Sequence, residues 1–370
     1  MTDSFHIIPL PQLLKIILNQ YDKSDFVLGI SKDLFYTPNI NDSFRTSRFG
    51  RLLETPIGVA AGPQTQLAQN IVSAWLTGAR FIELKTVQTL DELNVSKPCI
   101  DMQDEGYNCE WSQELKIEQS FDQYLNAWII IHILRGKFGW DKSTDPGVIF
   151  NMSIGYNYDG ILNRNVQWFF DKMEDAGDEM KIKIESVKSI YPNVEDLKIN
   201  PKISNNVTLS TMHGCPSDEI EKIGEYLIVE KKLHTTIKLN PTLLGKEELH
   251  EILDDSGFDA IVPDVAFEHD LNYDEALKII GNLQKKADDQ NLHFGIKLTN
   301  TLESLNNKDV FPKDEKMMYM SGRALHPISI NLAHKLQNEF DGKLDISFSG
   351  GADAFNIAEI VSCGLTPVTV

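Results

Sequence analysis

Short apolar runs alternate with amphipathic stretches along most of this chain. The runs are TPIGVAAG (55–62), RFIELKTV (80–87), GVIFNMSIG (147–155), NVTLSTM (206–212), TTIKLNP (235–241), DAIVPDV (259–265), FGIKLTN (294–300), DISFSGG (345–351) and TPVTV (366–370). Most are near-continuous rather than alternating, as expected for strands covered on both faces of a parallel sheet. Between them lie helical patterns. SDEIEKIGEYLIVEKK (217–232) carries Ile220, Ile223 and Leu227 on one face, with Ser217 as a candidate N-cap. YDEALKIIGNLQKKA (273–287) has Asn272 and Glu275 as a cap pair, and HPISINLAHKLQNEF (326–340) has Pro327 near its start and Gly342 beyond its end. Repeated strand-then-helix text predicts an α/β fold, either a doubly wound sheet or a barrel; the number of strands favours a (β/α)8 TIM barrel. Nine candidates are one too many, so DAIVPDV and FGIKLTN are not both staves, or one candidate is an accessory strand.

Residues 1–50 read as an N-terminal extension with a short helix over Pro11 to Gln20, and 51–370 as the barrel. Two segments, 88–146 and 302–322, are too long for ordinary loops and are expected to decorate the active face. The formal net charge of −19 argues against nucleic acid and anionic membranes as partners. No stretch approaches the ~20 apolar residues of a membrane span, and the first residues do not resemble a signal peptide, so a cytoplasmic location is expected. The four cysteines, Cys99, Cys109, Cys215 and Cys363, form no C-x-x-C pair; no metal site is expected within this stretch.

Candidate chemistry gathers at the strand ends, which a barrel brings to one face. Ala60, Ala61 and Gly62 leave room for a flat ligand or make a tight turn. Lys85 and Thr86 end the second run, and Lys238 and Lys297 sit in matching I-K-L contexts; a lysine in a buried strand needs a partner or a ligand. Gly350 and Gly351 precede a helix whose start after Ala352 would present free amides to a phosphate. In TMHGCPSDE (211–219), Cys215 precedes a helix that would lower its thiol pKa or poise it for proton transfer, with His213, Ser210 and Thr211 nearby. Alternatively, Cys215 is a small buried hydrophobe and His213 a hydrogen-bonded histidine.

Together these segments resemble the dihydroorotate dehydrogenase-like flavoprotein barrels, over roughly residues 45–370 and in the family's order. TPIGVAAG is similar to the first flavin segment and FIELKTV to the second. FNMSIG places Asn151 where these barrels use an asparagine. LTNT (298–301) matches a Thr-Asn-Thr strand end with Asn300 and Thr301, SGRALHP (321–327) a turn beginning Ser321-Gly322, and FSGGADA the phosphate-binding double glycine. STMHGCP, KLNPTLLG, KLTNT and IPLPQLL resemble, more closely, the large flavoproteins named as selenate reductase subunits, relatives of dihydropyrimidine dehydrogenase. The resemblance implies an FMN-dependent oxidoreductase moving hydride between flavin and a small organic substrate, an N-heterocycle being one option. It implies FAD, NAD(P)H and iron–sulfur clusters, as electron-transfer domains or subunits, in a longer protein, and thus a truncated chain whose last strand lacks its closing helix and which alone retains flavin poorly. Selenate suits a hydride–proton pair less well than a C–C or C–N bond does. The pyrimidine enzymes begin their acid–base loop Asn-x-Ser; here its counterpart is Thr208-Leu209-Ser210, which offers Cys215 first, then Thr211, Ser210 or His213. Two rival readings are a Schiff-base aldolase using Lys238 or Lys297, and a non-catalytic electron-relay or scaffold module.

Overall fold

The computed structural model describes residues 6–90, 99–102, 105–109, 114–140, 145–210 and 214–370. The eight staves are β1 (Ile57–Val59), β2 (Phe81–Glu83), β3 (Ile149–Ile154), β4 (Asn206–Ser210), β5 (His234–Leu239), β6 (Phe294–Leu298), β7 (Ile346–Phe348) and β8 (Val368–Thr369). They form a closed barrel in chain order. The pairs β1–β2, β2–β3, β4–β5, β5–β6, β6–β7 and β7–β8 are parallel. Every residue of β3 and of β6 is buried, which explains their near-continuous apolar text.

The surplus candidate is DAIVPDV. Residues 259–262 have no regular structure, Pro263 caps the next element, and Asp264–His269 is a short helix. Pro263 brings no amide to a ladder and has a φ of −73° suited to a helix entrance, with Asp264 favourably placed in the first turn. Asn272 caps the helix Tyr273–Asp289 as expected, its side chain accepting from the Glu275 amide at 2.9 Å. Ser217 is not an N-cap. It is the first helical residue of Ser217–Glu225, and Pro216 stands at the cap without a side-chain bond. The helical pattern to 232 continues only as a wider turn over Tyr226–Glu230.

The chain divides into two compact units: Met1–Val87, Glu114–Met152 and Asn163–Asn205 in one, Gln88–Gln113, Ser153–Leu162 and Asn206–Val370 in the other. In the first, the helix Leu10–Lys23 buries Leu10, Leu13, Leu14, Ile17 and Leu18. The hairpin Thr46–Arg48 with Arg51–Leu53 turns at Phe49 and Gly50, and Phe49 and Leu53 pack with Phe81 and Ile149 at the amino ends of β2 and β3. Beside them Glu54 is buried between two arginines, 2.6 Å from Arg80 Nε and 2.8 Å from Arg135 Nη1. Conserving charge balance in a dry interior requires such pairing. The helix Ile117–Phe138 lies in the crossover from β2 to β3 and ends at Gly139 in the left-handed region.

In the second unit, parts of the two long segments find each other. Ile100–Met102, Glu105–Asn108, Leu302–Leu305 and Met317–Gly322 make a four-stranded antiparallel sheet, with Tyr319 opposite Asn108 and Ser321 opposite Gly106. Among the described residues no helix is long and apolar enough to cross a membrane.

Candidate functional site at the strand ends

The first unit contributes the ends of β1, β2 and β3. Gly58 has to lack a side chain, because a Cβ there would meet the Phe81 carbonyl oxygen at 1.8 Å. After Val59 the chain leaves the barrel through Ala60, Ala61 and Gly62, and the Ala61 amide donates to Glu83 Oε2 at 3.1 Å. Glu83 ends β2, is buried, and stands opposite the fully buried Asn151 of β3. Two residues on, Lys85 is half-buried and Thr86 buried. Glu83 is thus the buried acid of this rim, and its only sequence signal was an acidic residue inside an apolar run.

The second unit contributes the ends of β4 to β8. Ser210, Lys238, Lys297 and Ser347 are aligned in register across β4, β5, β6 and β7. The two lysines differ in environment. Lys297 is 1% exposed and its ammonium donates to Thr369 Oγ1 of β8 at 2.7 Å, whereas Lys238 is half-buried. Thr208 is buried within β4. Asn300 joins three strand ends: its amide nitrogen donates to Asn240 Oδ1 at 2.7 Å, its backbone N–H to the Leu239 carbonyl at 2.8 Å, and its Oδ1 accepts from Ser210 Oγ at 3.5 Å. Thr301 follows, half-buried. The one sign of Asn240 in the sequence is a polar residue directly after the β5 run.

Gly350 and Gly351 are explained first by packing. A Cβ on Gly350 would lie 2.3 Å from Ser329 Oγ, and one on Gly351, whose φ is +64°, 2.5 Å from the Gly322 carbonyl oxygen. Ser321 and Gly322 serve the same junction: the Ser321 hydroxyl donates to the Gly106 carbonyl, and Gly322 takes a φ of +73°. The expected helix start after Ala352 is corrected. The helix begins at Ile357 and is short, and Asp353 Oδ1 already accepts the amides of Phe355 and Asn356 at 2.8 and 3.1 Å, while Asn356 Oδ1 accepts that of Asp353. Within this loop the amides of Gly350, Gly351 and Ala352 find no protein acceptor among the described residues. The anion-binding potential therefore lies with those three consecutive N–H groups rather than at a helix end.

Thr211 and His213 lie outside the described residues. Cys215 is half-buried, and its expected lowered pKa is also corrected. Burial first, then the charges of Glu219 and Asp218, push its thiol from an ordinary 9.0 up to about 11. Acidic residues in the first turn cancel the helix dipole at the position where it would have helped a thiolate. Among the described residues no group of three or more histidine, cysteine or acidic side chains could hold a metal ion.

The family described as "Oxidoreductase YgfK, N-terminal TIM-barrel domain" matches residues 28–370. Two curated relatives named "Putative oxidoreductase YgfK", from Escherichia coli strain K12 and from Escherichia coli O157:H7, are each 45% identical over 397 aligned residues. The alignment covers 100% of this chain but 37% of either relative. Among solved structures, ligand-free DHODH from Eimeria tenella superimposes with a TM-score of 0.52 at 15% identity, covering 90% of this chain and 84% of that one. The complex of the same enzyme with ferulenol gives 0.54 at 14%, covering 90% and 81%. At such identity the likeness speaks for the fold. By its match over nearly its whole length and its 45% identity to the curated relatives, the chain belongs to the family of the oxidoreductase YgfK N-terminal TIM-barrel domain.

Proposed function

We propose that this barrel binds FMN at the carboxyl ends of its strands and serves an oxidoreductase that reduces a small unsaturated organic substrate. The observation that carries the reading is the run of amides at Gly350, Gly351 and Ala352 that find no acceptor among the described residues, late in a barrel whose rim also offers Lys238 half-buried. Consecutive backbone N–H groups and a cation are the donor set a flavin phosphate and an electron-rich flavin edge require. By the resemblance, Ala60, Ala61 and Gly62 would leave room for a planar ring and Lys85, Thr86, Asn300 and Thr301 would supply polar contacts, whereas Asn151 and Thr208 lie within β3 and β4. Bound there, FMN supplies hydride transfer.

The chain's own residues then have separable tasks. Lys238 holds positive charge where electron density rises on reduction, while Lys297, fastened to Thr369, braces β6 to β8. Asn300 and Asn240 hold the ends of β5 and β6 in fixed relation. Cys215, with a thiol near 11, keeps its proton at neutral pH, so it suits proton delivery to a substrate carbon better than proton removal. A protein of this family with further regions beyond the barrel would supply electrons through FAD, NAD(P)H and iron–sulfur groups held there.

The test is a visible absorption spectrum of the purified protein, followed by titration with FMN and with riboflavin, which lacks the phosphate. The expected result is flavin absorbance, with FMN bound at least about tenfold more tightly than riboflavin, as charge-assisted bonds to a phosphate imply. Absence of binding by either flavin overturns the reading and revives the Schiff-base alternative at Lys238, which borohydride trapping with an aldehyde would detect.

A further inference from the structure

Next to the acid–base segment stands a pair of residues that the flavin chemistry does not use. The helix Asp264–His269 ends at His269, and Asp270 follows with its side chain 1% exposed. A carboxylate in so dry a place needs donors for its oxygens. One oxygen, Oδ1, accepts the backbone N–H of Gly214 at 3.2 Å. The other, Oδ2, accepts the hydroxyl of Thr242 at 2.7 Å, just beyond the end of β5. Gly214 has a φ of +77° and directly precedes Cys215, whose peptide leads into the proline cap of the next helix. His269 flanks the same glycine: a Cβ on Gly214 would meet its ring at 3.9 Å, and its Nε2 lies 3.2 Å from Glu303 Oε2 and 3.7 Å from Asp270 Oδ1. Glu303 belongs to the strand Leu302–Leu305, which begins directly after Thr301.

We infer that Asp270 is a positioning residue, which clamps the Gly214–Cys215 segment to the end of β5 and so sets where the Cys215 thiol points and how far it is shielded. The geometry has the form that role requires. One oxygen holds the main chain immediately before the thiol, the other holds a hydroxyl fixed to a barrel strand end, and the neighbouring imidazole is set against an acid on a second strand. A tie through a backbone amide fixes the segment whatever the side chains on it are. The substrate-directed role of Cys215 rests on the function proposed above; the clamp itself does not.

The experiment measures alkylation of each cysteine by iodoacetamide in the folded protein, resolved by peptide mass spectrometry, with the exposed Cys363 as internal reference. In Asp270→Ala the segment opens more often. Removing the acceptor of a part-buried amide and of a buried hydroxyl together corresponds to a rise of about tenfold in the open population, so Cys215 alkylation should speed up by about that factor while Cys363 is unchanged. Asp270→Asn keeps an acceptor for the Gly214 amide and should bring Cys215 back to within about threefold of the wild type. Thr242→Val, which loosens only the far side of the clamp, should accelerate Cys215 by less than Asp270→Ala does, and it serves if the alanine variant does not fold. Wild-type alkylation at Cys215 in folded Asp270→Ala, or in Thr242→Val, overturns the inference, as does an asparagine variant no slower than alanine. The flavin titration on the same samples separates the two readings. Flavin binding with unaltered Cys215 removes the clamp alone, and an accelerated Cys215 without flavin binding removes the proposed function alone.

Discussion

A single thiol shows how neighbours decide what a residue can do. At the start of a helix Cys215 has the location in which thiols are often acidic, yet burial and the carboxylates of Asp218 and Glu219 raise it to about 11. The folded thiol holds its proton more tightly than the unfolded one. Its contribution to stability is therefore intact below about pH 9 and is lost as pH rises toward 11. The kinetic counterpart is expected in the alkylation rate of Cys215, which should climb about tenfold per pH unit from pH 8 to 10, following the thiolate fraction, and level off only near 11. Glu219→Gln should move that levelling to lower pH. A wild-type profile that is flat above pH 8 would mean the thiol is already ionised and its task is not proton delivery. The two I-K-L lysines teach the same lesson, since identical local text leaves one ammonium fixed on Thr369 and the other half-exposed at the rim.

At the scale of elements, the loop after β7 combines two requirements that look like one motif. Gly350 and Gly351 lack side chains because Ser329 and the backbone of Gly322 and Arg323 occupy the space, and only then do the amides of this loop remain available. Gly351→Ala is accordingly expected to destabilise the protein by at least about 2 kcal/mol even without flavin, through a left-handed φ and a Cβ against a carbonyl oxygen. Chemical denaturation followed by circular dichroism measures this, and a loss below about 0.5 kcal/mol would show that the junction yields easily. Loss of flavin in a Gly351→Val protein would consequently say little about phosphate contact, whereas the comparison of FMN with riboflavin addresses it directly. The antiparallel sheet made by parts of residues 99–109 and 302–322 belongs to this scale too. Ser321, placed by resemblance at a flavin turn, spends its hydroxyl on the Gly106 carbonyl and so holds that sheet together.

For the whole molecule, a ligand that binds only the folded barrel stabilises all of it by mass action. FMN at a hundred times its dissociation constant should add about 2.7 kcal/mol and raise the melting temperature, and riboflavin at the same concentration should raise it less. Equal shifts would locate the gain in the ring alone and remove the amides of Gly350–Ala352 from the site. The chain spans 37% of the length of the curated relatives it matches.

The barrel was legible in the sequence because parallel staves buried on both faces leave near-continuous apolar text, and eight of the nine runs carrying it are staves. DAIVPDV shared that text, and only its proline and the packing around it made it a turn into a helix. Lys238 and the double glycine could be picked out because a charge or a paired absence of side chains at a strand end is costly without a purpose, and Asn300 only through the resemblance of LTNT to a family strand end. Asp270, Thr242, Glu83 and Asn240 could not be picked out with equal force. Their roles depend on which amide or hydroxyl stands opposite, and those partners lie 28 residues away for Thr242 and Asp270, 56 for Gly214 and Asp270 and 60 for Asn240 and Asn300. Periodicity records which face of an element is buried; the partner of a buried polar atom is decided only when distant strand ends are brought to one rim.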